Sequence, residues 1–238
     1  MTKPVMIVDR RDFILIGAAG AAALAAPAAA APGGGDFAAL MAALEQIGDE
    51  LPVTGPAEQN AYVYRLAARA MLAREFPVPR MGAMGRTGIE LGSVGRTQPP
   101  TDRVHGIALV SYRMAPGAVL QAHNHPNYSV ATIGLEGEAK VTHYEADSTA
   151  PPFESLERFT IRRTAGRILR PGEATTLSPS RDNIHTFEAG PRGARFVDLF
   201  SIHGSDVGFS YLEIDPRPSA AGGDTFTAHW VGTRPTNG

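Results

Sequence analysis

The 238-residue chain contains no cysteine. Disulfides, thiolate metal ligands and a cysteine nucleophile are therefore excluded, and an oxidising compartment would find nothing to crosslink. A dominant charge is missing too: 22 basic residues stand against 24 acidic ones, a formal charge of −2. With no basic stripe to release counterions from phosphates, nothing here suits nucleic acid or an anionic lipid surface. No internal repeat is visible. No apolar run has the length of about twenty residues that a bilayer demands, since the uncharged stretch from Phe13 to Ala26 is shorter and rich in Ala and Gly.

What the amino terminus does have is the order of an export signal. Lys3, Arg10 and Arg11 precede that uncharged stretch, and the alanines ending near Ala30 offer small residues to a signal peptidase. The segment Asp9-Arg10-Arg11-Asp12-Phe13-Ile14-Leu15 resembles a twin-arginine signal, with Asp9 in place of the usual Ser or Thr and Leu15 in place of the frequent Lys. Residues 1–30 are read as a twin-arginine-type signal peptide, the alternative being a retained anchor. The expected location is the periplasm or the exterior, with the twin-arginine machinery as a transient partner and no stable membrane anchor. That route exports folded proteins, which suits a metal loaded in the cytoplasm.

Residues 31–80 read as a leader with two accessory helices. Phe37, Leu40, Met41, Leu44, Ile47 and Leu51 recur at three and four residues, with Asp36 as N-cap and Pro52 as stop. A second helix starts near Pro56 and runs through Tyr62, Leu66, Ala70 and Phe76 until Pro77. Residues 80–101 read as loop with at most one short strand. Short strands follow: Gly106–Met114, Ala118–His125, a hairpin of 129–135 and 139–144 turning at Gly137, then 159–163, 167–169, 174–177, 185–189, 194–201 and 208–214. Many short strands between turn residues predict a sandwich or closed barrel over residues 81–215. Residues 216–238 read as a loosely held tail.

The chemistry concentrates in Gly117–Gly137. His123 and His125 are two apart, so on a strand both imidazoles point to one side and can grip one ion. Imidazole suits Fe, Zn, Cu and Ni, and a third ligand normally comes from elsewhere, His185 being the best candidate. Five residues separate Gly117 from His123, and Val130 and Gly137 follow His125 at set intervals. This arrangement resembles the first signature of the cupins, and implies a mainly β fold: a double-stranded β-helix (jelly-roll) barrel with N-terminal helices. Val130 stands where many cupins carry a glutamate ligand, so the resemblance implies three histidines without a carboxylate.

His123-Asn124-His125-Pro126, Asp182-Asn183-Ile184-His185-Thr186-Phe187 and the run Ala194–Phe200 resemble the thiol dioxygenase branch, that of cysteamine dioxygenase and the plant cysteine oxidases. The resemblance implies His123, His125 and His185 as metal ligands, with Fe(II) first and Mn, Ni, Cu or Zn as alternatives. It further implies Asp198 as the acidic residue behind the site and a small thiol with dioxygen as substrates. Tyr211 falls near the family's late tyrosine, there either to hydrogen-bond substrate or to pack. Asn127 and Tyr128 replace the residues usual after His-x-His-Pro and are candidates for the pocket mouth. The family's crosslinking cysteine is absent, so no Cys-Tyr cofactor can form. Asp198 on an apolar strand needs a partner: the second nitrogen of a ligand histidine, His185 foremost, or a cation, Arg195 or Arg113. His105, His143, His203 and His229 are expected to be structural or exposed. A three-histidine cupin acting on an enol or phenol, and a non-catalytic binding cupin, are the rival functions.

Overall fold

The computed structural model describes residues 34–50, 55–73, 76, 88–96, 106–147, 150–152, 155–202, 209–219 and 223–231. The expectations for the signal or anchor in residues 1–30, and for His105 and His203, lie outside them. Among the described residues no helix is long and apolar enough to cross a membrane.

Helix α1 spans Gly34–Glu50 and α2 spans Pro56–Ala70. Pro56 sits at the start of α2, where its fixed φ and missing N–H cost nothing. Asp36 lies inside the first turn of α1 rather than capping it, because the helix already begins at Gly34. Leu40 and Leu44 of α1 and Tyr62, Val63 and Leu66 of α2 are buried with Leu109, Ile133, Val197 and Leu199 of the sheet. The apolar stripes read from the sequence thus join both helices to the sheet's core, α2 packing on β4, β6 and β7 and α1 on α2.

Among the described residues nine strands follow: β1 Ile89–Arg96, β2 Gly106–Met114, β3 Val119–Asn124, β4 Tyr128–Ala146, β5 Phe159–Leu169, β6 Ala174–Leu177, β7 Ile184–Ile202, β8 Tyr211–Ile214 and β9 Thr225–Val231. They form one sheet in the order β1-β2-β7-β3-β8-β9-β5-β4-β6, and a further β7–β4 pairing closes it. All pairings are antiparallel. The protein is a mainly β, closed antiparallel barrel with two helices on its N-terminal side, the fold class that the resemblance implied.

Two expectations are corrected here. The hairpin turning at Gly137 does not exist: β4 runs on through it for 19 residues. Likewise β7 runs through Gly190–Gly193 for 19 residues, and β4 lies along β7 from Tyr128↔Ile202 to Tyr144↔Ile184. Gly137 (φ 63°) and Gly193 (φ 78°) are bulges that face each other, and a Cβ on Gly137 would meet the Gly193 carbonyl oxygen at 2.2 Å. Such paired bulges bend strands without reversing them. In sequence they look like turns because both devices need a residue tolerant of positive φ.

The loosely held tail is the second correction. Thr225–Val231 is strand β9, paired with both β5 and β8, and without it the ring would be open. Phe226, Ala228 and Trp230 alternate into a cluster with Ala122, Tyr144, Phe159, Ile161, Ile184 and Leu212. Trp230 Nε1 donates to the Pro151 carbonyl at 3.0 Å. Thr225–Val231 alternates at period two, between stretches rich in Pro and Gly.

Candidate metal centre

His123 lies at the end of strand β3 and His125 just beyond it, and His185, at the start of β7, sits directly across from His123. All three are buried, with exposures of 6%, 2% and 1%. Their ring centroids form a nearly equilateral triangle of 4.8, 4.7 and 4.7 Å, with rings crossing at 64–88°. His125 Nε2 lies 2.9 Å from His185 Nε2, which lies 3.2 Å from His123 Nε2.

These contacts are not a hydrogen-bond network. An imidazole nitrogen carries either one proton or one in-plane lone pair, so His185 Nε2 cannot serve both neighbours. A cation resolves the conflict. The three ligand nitrogens lie within 4.8 Å of one another, close enough for one cation to be shared by all three. The protonation states agree. His123 Nδ1 lies 2.8 Å from the Gln121 carbonyl and can only donate to it, leaving Nε2 with its lone pair. Burial pushes the pKa of His123 down to about 4, partly offset by that bond. His125 and His185 are pushed well down by burial and then by the neighbouring histidines. At neutral pH the cluster is three neutral donors, the form in which imidazole binds metal.

The surroundings are aromatic. Tyr128 packs edge-on to His125 with centroids 4.8 Å apart, Phe200 stands 6.2 Å from His125, and Phe187 packs on His185 at 4.7 Å. Tyr211 pairs with His123 across β3 and β8, its ring 6.0 Å away, and burial raises its pKa. Phe209 closes the same side, 5.9 Å from His123 and 5.3 Å from Tyr211. Asn127 lies half-buried in the turn between β3 and β4. Phe209, Phe200 and Gln121 escaped sequence reasoning because isolated aromatics and a backbone carbonyl carry no spacing signal. Of the histidines expected to be structural or exposed, His143 is buried. It faces inward, its ring 5.9 Å from His185, with Nε2 2.9 Å from Thr175 Oγ1. His229 lies beside Glu213 with Nε2 3.5 Å from its carboxylate. A cleft of about 640 Å³ is lined by Asn124, Pro126, Glu145, Ile184 and Trp230, among them chain neighbours of the three histidines but none of the histidines themselves.

Asp198 is 1% exposed, yet its partner is none of those expected. Thr132 Oγ1 donates to its carboxylate from the neighbouring strand β4. Arg113 is engaged with Glu90 and Arg195 with Glu136. Among the described residues, His185 Nδ1 meets no hydrogen-bond partner. Register explains the correction: Asp198 sits opposite Thr132 and Val110, on the far side of the β7 bulge from His185. Burial lifts the Asp198 pKa from 3.8 to about 7, and the Thr132 bond only partly lowers it.

A pH effect follows. Between pH 3.8 and about 7 the native state keeps a proton on Asp198 that the unfolded chain has lost, so this group makes stability fall as pH rises. His123 acts oppositely: between about 4 and 6.5 the unfolded chain holds the proton, so stability rises with pH. Asp198→Asn should therefore steepen the rise in melting temperature of the metal-free protein between pH 4 and 6.5, by an amount on the order of 1 kcal/mol per pH unit. Parallel melting profiles for the two proteins would show that Asp198 holds no such proton.

The family model PCO_ADO, a cupin-type thiol dioxygenase family, matches residues 102–202, from β2 through β7. No curated protein matches the chain. Similar solved structures include KdgF from Halomonas sp. (19% identity, 52% of this chain and 87% of that one, TM-score 0.36). An oxalate oxidase in complex with glycolate is 16% identical, over 59% of this chain and 63% of that one, with TM-score 0.40. An RmlC-like cupin from Shewanella frigidimarina is 18% identical, over 54% of this chain and 91% of that one, with TM-score 0.34. The family match and the three-histidine cluster together support a cupin-type, metal-dependent dioxygenase.

Proposed function

We propose that this protein is an iron-dependent dioxygenase that oxidises a small thiol to its sulfinate after export by the twin-arginine route. The observation that carries the reading is the convergence of three buried Nε2 atoms within a barrel whose strands match a thiol dioxygenase family. His123, His125 and His185 would hold the metal, and a bound Fe(II) would supply open positions for a thiolate and dioxygen together. The chain's own part is to bind and position. Three uncharged ligands leave the ion's charge uncompensated, which favours a substrate that brings an anion. Tyr128, Phe200 and Phe209 keep water from the ligand rings. Asp198, whose pKa burial lifts to about 7, can hold or release a proton inside the barrel near neutral pH, and Tyr211 stands beside His123 as a hydroxyl for substrate or dioxygen. Asn127 and Tyr128, in and just after the β3–β4 turn, are the residues assigned to substrate choice. Residues 1–30 supply the export signal and leave a chain without thiols of its own to oxidise.

Oxygen uptake tests this. The iron-loaded protein should consume oxygen with cysteamine, cysteine or an N-terminal-cysteine peptide and yield the sulfinate. Uptake only with enol or phenol substrates, or none with any substrate, would reject the thiol assignment.

A further inference from the structure

We propose that helix α2 belongs to the support of the metal centre, with Asn60 acting as a positioning residue for His125 and His185 through Arg181 and Asn183. The proposal rests on the three-histidine reading above. It concerns residues that lie more than forty positions before the family match begins, as well as the segment joining β6 to β7.

That segment is held unusually firmly. Ser178 and Arg181 bond each other's backbone in both directions, at 2.9 and 3.1 Å. Asp182 follows at φ 55°, in the left-handed region that few non-glycine residues adopt and that its neighbours here hold in place. The neighbours are identifiable. Arg181 Nη2 donates to Thr176 Oγ1 at 2.9 Å and Arg181 Nη1 to the Asp182 carboxylate. Asp182 N–H donates to Glu145 at 3.2 Å.

The anchor on the other side is α2. Asn60 Oδ1 accepts from Ser178 Oγ at 2.8 Å and from Arg181 Nε at 3.1 Å. Gln59 Oε1 accepts from Ser180 Oγ at 3.1 Å, and the Arg181 guanidinium lies over the Tyr64 ring at 5.2 Å. One amide oxygen thus ties both ends of the turn to the helix.

Past Asp182 the same segment reaches two ligands. His125 N–H donates to Asn183 Oδ1 at 2.7 Å and to the Asn183 carbonyl at 3.1 Å, while Asn183 Nδ2 donates back to the Pro179 carbonyl at 3.2 Å. Two residues after Asn183 comes His185 itself. His123, by contrast, is oriented from within its own strand by Gln121. Releasing the turn would loosen two of the three imidazoles and leave the third in place.

The test uses the full chain with cobalt(II) as the probe metal and compares Asn60→Leu, which removes the acceptor, with Asn60→Asp, which keeps it. Cobalt release to a chelator should be about tenfold or more faster in Asn60→Leu, the range seen when groups behind metal ligands are removed. Its visible spectrum should shift, and Asn60→Asp should restore both within about twofold. In the metal-free protein, amide exchange at His125 and residues 178–185 should rise in Asn60→Leu alone. Release and exchange unchanged in Asn60→Leu, or an Asn60→Asp as impaired as the leucine variant, would overturn the proposal. Should Asn60→Leu not fold, Arg181→Met serves instead, keeping an apolar stem over Tyr64 but none of the guanidinium's bonds; wild-type behaviour there would equally overturn it. A wild-type protein that binds no cobalt would reject the three-histidine reading, and the exchange measurements would still decide whether α2 holds the turn.

Discussion

Replacing His185 by alanine should strip the protein of its metal and lower thiol-dependent oxygen uptake by at least about 100-fold. Even partners that only orient metal ligands cost 10- to 100-fold when lost, and His185 contributes the donor atom itself. Its Nε2 is the one nitrogen within reach of both others, at 2.9 and 3.2 Å, so its removal leaves two imidazoles that have lost their shared neighbour. His123→Ala and His125→Ala should behave alike. His143→Ala is the informative control: that ring also lies in the barrel near His185, but its Nε2 is engaged with Thr175. Metal analysis after dialysis should find near wild-type content in His143→Ala and almost none in His185→Ala. Equal retention in the two would remove His185 from the site.

The largest effect on folding is expected at Gly137. Gly137→Ala should destabilise the protein by about 3 kcal/mol or more, because a left-handed backbone and a collision with main chain act together. The added Cβ would lie 2.2 Å from the Gly193 oxygen, in the pair of bulges where β4 and β7 bend together. Gly117→Ala separates the two causes. Gly117 has a similar φ of 70° but nothing within 4 Å of its Cβ position, so it should lose only the conformational part, about 1 kcal/mol. Denaturant midpoints for the two variants check this, and similar losses at both sites would mean that the contact with Gly193 is unimportant.

The same glycine shows where sequence reasoning reached and where it stopped. The His-x-His pair and His185 could be read because a strand's period fixes the side to which a histidine points, and the β3–β7 register then places His185 across from His123. The helices could be read because their apolar stripes are what they bury. Positive φ, however, is shared by turns and bulges, so Gly137 and Gly190–Gly193 predicted reversals where the strands only bend. Asp198 failed for a related reason. Its need for a partner was evident from its apolar strand, but the choice of Thr132 over His185 depends on which residue lies opposite after the β7 bulge. Nor could the sequence reveal that α2 reaches the metal centre, since Asn60 and Arg181 are 121 residues apart and meet only through the fold.

The account turns on three imidazoles sharing one cation, and X-ray absorption at the metal edge of the iron-loaded wild-type protein tests that most directly. The expected spectrum has nitrogen neighbours at roughly 2.0–2.2 Å and the outer-shell scattering of three imidazole rings, one of which is lost, or the metal with it, in His185→Ala. A shell of oxygen neighbours, or scattering from a single imidazole, would contradict it.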